Sequence, residues 1–189
     1  MFAVNDIVMY KQSGICKILD ICEKKFGKET RQYYVLCPQN DPNTTIYCPI
    51  DAPSDKMRYL LTKDEVLQLI EEMPDEETAW IENDHLRKEK QAEILRERDH
   101  KRLIRMIKAL YLKREEQQKA GKHFHAADEK AMEEAEKILY QEFAQVLHIA
   151  QDEVVPFIVG RLDKKINGLE KLSFFRLSNI CLLFCPFPI

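Results

Sequence analysis

The sequence predicts an α+β fold in which a small β-domain precedes a domain of helices. Short β-rich runs cut by turn residues fill residues 6–59, and helical periodicity extends from there to about Gln151. A chain of 189 residues is long enough for one or two domains with real cores. A charged content of 32% beside a hydrophobic content of 45% is typical of a globular protein rather than of a disordered one.

The first part of the chain is predicted to form short strands. They are expected at residues 7–10, 15–23, 31–37 and 44–50, with a candidate fifth at 57–59. Four or five short antiparallel strands in so few residues are typical of a small SH3-like or Tudor-like barrel. Pro49 removes a ladder donor, so the fourth strand is expected to end at a sheet edge or a bulge. Such an edge is a template on which a partner strand can pair.

The second predicted strand alternates, and this assigns its side chains to two faces. Ile15, Leu19 and Ile21 are expected on one face, and Cys16, Ile18 and Cys22 on the other. A turn at residues 26–28 follows it. None of the six cysteines has CxxC or paired metal spacing, so the four in strand-like runs are interpreted as small buried hydrophobes.

Helical signals begin at Thr62. Thr62 and Glu65 are predicted to form a capping box, and Pro74 is predicted to end the first helix. A basic segment then extends over residues 84–118. One apolar face is predicted within it, made of Leu103, Ile104, Ile107, Leu110 and Tyr111.

A second long helix is predicted after a stop at Gly121, which is free to adopt a left-handed cap. It begins near His125 and Asp128. Its buried stripe is predicted at Met132, Ala135, Ile138, Leu139, Phe143, Val146 and Leu147. Residues 152–159 are expected to add a last short turn, and the whole is expected to be a compact bundle of antiparallel helices joined by short loops.

These patterns divide the chain into four parts. They are a β-domain at 1–60, a capped helix with an acidic linker at 61–77, a helical domain at 78–160 and an apolar tail at 161–189. The tail is too short, and too broken by Pro186 and Pro188, to be assigned as a membrane span. It is either a real hydrophobic tail or translated sequence outside the fold, and it is placed outside the domain plan.

Charge is unevenly distributed. The net charge of −3 gives no global argument for nucleic-acid binding, so any argument must rest on local patches. Residues 84–119 carry twelve positive and seven negative side chains, whereas residues 62–83 carry eight acids and one lysine. A solvated helix face is the ordinary explanation, but the one-signed excess supports an electrostatic hypothesis for this segment.

Motifs of catalysis and metal binding are missing from the sequence. It has no Gly-rich phosphate loop, nucleophile elbow or HExxH motif. His123 and His125 lack Cys or carboxylate partners at ligand spacing, and a solvated or capping histidine explains both. The acids of residues 71–77 are interpreted as a solvated acidic loop. The expectation is a protein that is not an enzyme and that needs no cofactor or metal.

The single tryptophan, Trp80, lies where strand-like sequence gives way to helix-like sequence. One interpretation is a hinge residue packed between two units, because Trp is a large apolar body with one polar group. The other is an exposed wedge that meets a partner or a nucleic-acid base. The residues alone leave both open.

Several motifs together resemble one known family. The motifs are residues 4–10, Gly14, Gly27, 33–36 and 44–49 in the β-rich part, and residues 78–80, 103–114 and 125–143 in the helical part. They resemble the CarD/CdnL-type transcription regulators, whose N-terminal domain is shared with the RNA-polymerase-interacting domain of the transcription-repair coupling factor. The resemblance covers roughly residues 1–160 in the family's order. A coupling factor would also need helicase motifs, for which this chain is too short.

This resemblance implies a two-part cytoplasmic protein that binds bacterial RNA polymerase at promoters. In the family the barrel docks through its sheet edge on the β1 lobe of the β subunit. The matching positions here are Lys24, Thr45, Ile46 and Tyr47. Tyr47 stands where the family often has an arginine, which puts one charge-assisted contact in question.

The family's helical domain lies at the upstream edge of the melted promoter DNA, where its Trp wedges into the minor groove. Trp80 matches that residue, and a wedge at a base step would oppose re-stacking and hold the bubble open. Residues 81–85 depart from the family, which often has Arg and Lys there. Phosphate contacts are then expected from Arg87, Lys88 and Lys90, or from Lys101, Arg102 and Arg105.

Two functional hypotheses remain. The first is a monomeric, non-enzymatic regulator that binds polymerase through the barrel and stabilises the open complex through Trp80. The second is a protein–protein adaptor with no DNA contact, in which the barrel binds a peptide or strand. The sequence reaches an acid at Asp6 before an apolar run of signal-peptide length could build, so no signal peptide is predicted. A reducing cytoplasm is expected, with nucleoid association through polymerase and no membrane contact.

Overall fold

The computed structural model describes residues 1–11, 13–26, 29–51 and 56–168. The chain divides into two compact units, Met1–Leu61 and Thr62–Ile189. The first holds β-strands and the second holds helices, so the α+β architecture is confirmed. The predicted turn residues Gly27 and Lys28 lie outside the described residues.

Over its described residues, the β unit is a five-stranded antiparallel sheet. Its strands are β1 (Ile7–Tyr10), β2 (Gly14–Phe26), β3 (Glu29–Pro38), β4 (Ile46–Pro49) and β5 (Met57–Tyr59). Their order in the sheet is β4-β3-β2-β1-β5, so β4 lies at one edge, as the position of Pro49 predicts. Hydrogen bonding between β4 and β5, which would close the sheet into a ring, does not occur among the described residues.

A β-bulge interrupts the pairing of β2 with β3. The register shifts between Ile18 and Asp20, which makes Leu19 the extra residue. Leu19 is 48% exposed, while Ile21 packs against the same core as Cys16 and Ile18. The predicted faces of β2 are therefore wrong beyond Ile18, because strict alternation takes no account of an inserted residue.

The core of the β unit is small and contains two of the cysteines. Cys16 and Cys48 are buried, as expected of small hydrophobes, while Cys22 and Cys37 are only partly covered. Burial raises the pKa of the Cys48 thiol, which lowers its reactivity as a nucleophile. The core side chains are Val8, Tyr10, Cys16, Ile18, Tyr34, Leu36, Cys48 and Met57.

The described residues of the second unit form five α-helices. They are α1 (Lys63–Glu72), α2 (Asp84–Glu97), α3 (His100–Lys119), α4 (Ala126–Leu147) and α5 (Val154–Gly168). The capping box at α1 is confirmed, because the Glu65 N–H donates to the Thr62 hydroxyl and the Thr62 N–H donates to the Glu65 carboxylate. Gly121 has a φ of 67°, as its predicted left-handed conformation requires.

The basic segment at 84–118 forms two helices, α2 and α3. Arg98 has a φ of 55° and ends α2, and the Asp99 carboxylate caps α3 by accepting from the Arg102 N–H. The two helices also differ in what they bury: α2 buries only the polar residues Arg87 and Gln91, whereas α3 buries an apolar face. The apolar periodicity in the sequence indicated only the helix that became α3, because α2 has no apolar face to reveal it.

The last helix is longer than predicted. A short turn was expected at 152–159 and an apolar tail outside the fold from residue 161, but α5 continues to Gly168. Leu162 is 1% exposed and Arg161 pairs with Glu71 at 2.8 Å, so this part of the chain belongs to the helical unit. Residues 169–189 of the predicted tail lie outside the described residues. Among the residues described, no helix has both the length and the apolar character to span a bilayer.

The core of the helical unit is built mainly by α3 and α4. The predicted apolar face of α3 is confirmed, because all five of its residues are buried. In the predicted stripe of α4, Val146 and Leu147 are only half-buried, and the buried members are Met132, Ala135, Ile138, Leu139 and Phe143. A polar contact also lies within this core, since Nε2 of His100 is 2.8 Å from Oε2 of Glu142, whose side chain is 1% exposed.

A carboxylate on α4 makes stability depend on pH. Burial raises the pKa of Glu136 above its ordinary value of 4.5, and the nearby Arg114 only partly opposes this. Between the ordinary and the raised pKa the folded state binds more protons than the unfolded state, so stability falls as pH rises through this window. We expect Glu136→Gln to unfold at higher urea concentration than the wild type at pH 7.

The difference in stability between Glu136→Gln and the wild type should shrink as pH falls. It should vanish below about 4.5, where Glu136 is uncharged in both the folded and the unfolded state. Glu134→Gln changes an exposed carboxylate on the same helix and serves as the control. A Glu136→Gln protein no more stable than the wild type at pH 7 would contradict the assignment.

Candidate functional site

The edge strand β4 brings together the residues predicted to contact polymerase. Thr45 is exposed just before β4, and Ile46 and Tyr47 are half-buried within it. Tyr47 pairs with Val35 of β3, and Nζ of Lys24, from β2, lies 3.6 Å from the centroid of the Tyr47 ring. A cation at this distance is attracted by the electron-rich face of the ring. Lys24 of β2 and Tyr47 of β4 therefore contact each other across the intervening strand β3, and this contact extends to the edge of the sheet.

Trp80 lines a groove in the helical unit. The groove encloses about 780 Å³ and lies between the segment at 75–81 and one side each of α2 and α3. Its apolar lining includes Ile94, Met106 and Leu110, and acids and bases both occur around it. The Trp80 side chain is half-buried there. It is therefore partly accessible from solvent, as an inserting residue must be.

Two cations lie against the Trp80 indole. The guanidinium carbon of Arg87 is 4.4 Å from the ring centroid, and Nζ of Lys113 is 5.4 Å from it. Trp offers the most favourable aromatic face for a cation, and a desolvated guanidinium gains more than an exposed one. The indole is thus held by charged groups of α2 and α3 rather than by a purely apolar pocket.

Arg87 makes a dense set of hydrogen bonds. Its Nε and Nη2 donate to Oδ1 and Oδ2 of Asp128, each at 3.0 Å, which is a bidentate pair. Nη2 also donates to Asp84 at 2.7 Å, and Nη1 donates to the Ile81 carbonyl at 2.8 Å. The hydrogen bonds with Asp128 raise the pKa of Arg87, so the guanidinium stays charged.

Burial weighs against Arg87 as one of the predicted phosphate contacts. Its side chain is 6% exposed and that of Asp128 is 1% exposed, so the pair is desolvated. Gln91 donates a further hydrogen bond to Asp128 at 2.8 Å. A buried ion pair loses several kcal/mol if one partner is left alone, so Arg87 cannot turn outward without a large cost. The phosphate contact of Arg87 therefore stays a prediction, and the burial of its guanidinium weighs against it.

The remaining predicted cations are more accessible, but most pair with carboxylates. The pairs are Lys90 with Glu93 at 2.7 Å, Lys101 with Glu72 at 2.8 Å, Arg102 with Glu93 at 3.0 Å and with Glu97, and Arg105 with Glu76 at 2.5 Å. Lys88 is exposed on α2. A phosphate would have to compete with these acids, although exposed ion pairs are individually weak.

The acidic and basic segments of the sequence thus form ion pairs with each other within the helical unit. Acids at the end of α1 and in the loop after it pair with bases of α3 and α5. Lys108 adds two hydrogen bonds to the loop backbone, to the carbonyls of Pro74 at 2.7 Å and Glu76 at 2.9 Å. The segment that leads to Trp80 is therefore fastened to α3 before it reaches the indole.

Sequence analysis missed Asp128, Gln91, Lys108 and Lys113 as parts of this site. Asp128 had been noted only near the start of a helix, and it lies 41 positions from Arg87. No periodicity links residues at that separation.

Among the described residues, no group of three or more His, Cys, Asp or Glu side chains is arranged to hold a metal ion.

Comparison with known families adds an independent finding for the β unit. Residues 2–61 match the family described as the CarD-like/TRCF RID domain. The match covers almost the whole of the β unit, which ends at Leu61. It confirms the resemblance noted for the N-terminal part of the sequence. No match was found among curated proteins.

The Arg87–Asp128 pair can be tested through stability. We expect Asp128→Ala to lower the free energy of unfolding by about 3–5 kcal/mol, because it leaves a buried guanidinium without its main partner. Asp84→Ala removes an exposed partner of the same guanidinium, and water can replace it, so we expect little change. Urea denaturation followed by circular dichroism measures both variants. Equal losses would show that Asp128 is not the residue that compensates the buried charge.

Proposed function

We propose, from the premise that residues 2–61 form a CarD-like/TRCF RID domain, that this protein is a non-enzymatic transcription regulator. In this proposal the edge strand β4 binds the β1 lobe of the RNA polymerase β subunit. The helical unit then places Trp80 at the upstream edge of the promoter bubble, where it stabilises the open complex. The observation that carries the proposal is the family match of the β unit.

The position of β4 supports the polymerase contact. A strand at a sheet edge presents backbone donors and acceptors on its outer side, and a partner strand can pair with them. Tyr47 replaces an arginine that is frequent in the family, but Lys24 carries a positive charge to the face of the Tyr47 ring. A cation is therefore present beside position 47 although residue 47 itself is neutral. This arrangement preserves a charged contact for an acidic partner surface.

The setting of Trp80 supports its role as a wedge. An apolar side chain that enters a base step unstacks it, which costs a few kcal/mol and is repaid by contacts in the distorted DNA. Trp80 is half-buried in a groove rather than fully enclosed, so its outer part can meet a base pair.

Ion pairing of the cations implies that the polymerase must supply most of the affinity for the promoter. Arg87 is buried, and Lys90, Lys101, Arg102 and Arg105 have carboxylate partners within the helical unit. DNA binding by the free protein should accordingly be weak and its salt dependence shallow. Binding to polymerase converts the DNA contact into an intramolecular one with a high effective concentration.

The adaptor hypothesis draws support from the same pairing. A groove with charges of both signs and an apolar floor is a reasonable surface for a protein partner, and its acids disfavour phosphates. The two functions differ in the need for Trp80 at promoter DNA. The experiments below separate them.

The first experiment tests the polymerase contact. Ile46→Glu and Thr45→Glu should each weaken binding to the isolated β1 lobe by about tenfold or more, because the new charge is desolvated where a strand would pair. Thr45 is exposed, so Thr45→Glu separates an interface effect from loss of folding. Leu19→Glu introduces the same charge at another exposed position of the β unit and should bind normally. Binding is measured by biolayer interferometry, and full binding by both edge variants would refute the contact.

The second experiment tests Trp80 at a promoter. Trp80→Ala should bind polymerase normally but shorten the lifetime of the open complex by about tenfold relative to the wild-type protein, because the unstacking wedge is gone. Leu86→Ala truncates another exposed apolar residue of the helical unit and should leave the lifetime unchanged. Lifetimes are measured by competitor challenge of preformed complexes. A normal lifetime with Trp80→Ala would favour the adaptor.

A further inference from the structure

We propose that Arg87, fixed by Asp128, is a positioning residue that clamps the Trp80 indole in a single orientation. The clamp itself follows from the geometry of the helical unit. Its use at a promoter rests on the function proposed above. In this role Arg87 touches neither phosphate nor base, and it acts only through Trp80.

The hydrogen bonds of Arg87 leave one surface of its guanidinium for the indole. The donors of a guanidinium point outward in its own plane. They are directed at Asp128, Asp84 and the Ile81 carbonyl. Since these partners occupy the edge of the group, its flat face is what remains to lie against Trp80, 4.4 Å from the ring centroid. The ion pair therefore fixes the plane on which the indole rests.

Arg87 also holds the backbone beside the indole. The Ile81 carbonyl belongs to the residue that follows Trp80, and residues 76–83 form neither helix nor strand. On the other side of Trp80, Lys108 binds the carbonyls of Pro74 and Glu76. The irregular segment that carries Trp80 is thus fastened at both ends, once to α3 and once to Arg87.

Asp128 makes the clamp rigid. It lies in the first turn of α4, where the helix dipole favours a carboxylate, and Gln91 of α2 donates to its Oδ1. The carboxylate is therefore fixed by its own helix, α4, and by Gln91 of α2, in addition to its pair with Arg87. A lysine at position 87 would carry the charge but could neither make the bidentate pair nor lie flat on the ring.

Such a clamp has a direct consequence for insertion. A wedge that is already ordered does not have to lose conformational freedom when it enters a base step, so more of its contact energy remains for the complex. The orientation of Trp80 would then depend on a residue pair that never meets the DNA.

The test uses Trp80 as its own probe, because it is the single tryptophan of the chain. Acrylamide quenching of its fluorescence reports how well the indole is protected. Arg87→Lys keeps the charge and removes the planar fork. The double variant Arg87→Met with Asp128→Leu removes the ion pair but refills its volume with apolar groups, a replacement that commonly preserves folding. Arg96→Met, which changes an exposed cation on the same helix, is the control.

We expect the quenching constant of the double variant to rise roughly twofold or more, because the cation against the ring is lost. Its thermal unfolding by circular dichroism should stay close to that of the wild type. Arg87→Lys should also show raised quenching, and Arg96→Met should match the wild type. A folded double variant with wild-type quenching would overturn the clamp.

The promoter assay separates this inference from the proposed function. If Trp80→Ala shortens the open-complex lifetime, the double variant should shorten it as well while still binding the β1 lobe. A double variant with raised quenching and a wild-type lifetime would overturn the positioning role. If Trp80→Ala itself leaves the lifetime unchanged, the proposed function fails, and the quenching result alone decides whether the clamp exists.

Discussion

The buried ion pair between Arg87 and Asp128 is the constraint on which the helical unit's candidate site depends. A desolvated pair of this kind is a poor source of net stability, because desolvation offsets most of the attraction between the charges. What it does provide is direction, since a bidentate pair fixes the plane of the guanidinium. Trp80 and the Ile81 carbonyl both take their positions from that plane.

The same unit shows how misleading a linear count of charge can be. The basic excess of residues 84–119 suggested a surface for phosphates. Two of its members, Lys101 and Arg105, pair instead with acids of the preceding segment, and others pair with acids of the basic segment itself. Opposite charges that are separated along the chain are adjacent in the fold. These pairs leave less unpaired positive charge on the helical unit than the linear count suggests.

Local patterns could be predicted from one sequence, and long-range pairings could not. The capping box at Thr62, the edge position of β4 and the apolar face of α3 each depend on neighbouring residues, and each was predicted. The bulge at Leu19 depends on how two strands align, and alternation gives no sign of it. At the candidate site, Trp80 stood out because it is the single tryptophan, whereas the role of Arg87 needed a partner 41 positions away. Composition alone made Arg87 look like any other surface cation.

The length of β4 bears on how long this protein would stay with a partner. The strand has four residues, Ile46–Pro49, and its last residue has no N–H to donate. In an antiparallel ladder only alternate residues direct their hydrogen bonds to a given side, so a strand of this length offers about two such positions to a partner. Contacts that small are typical of transient encounters. A regulator held by so short a strand would exchange readily from one polymerase to the next, and turnover rather than permanent occupancy would set its influence.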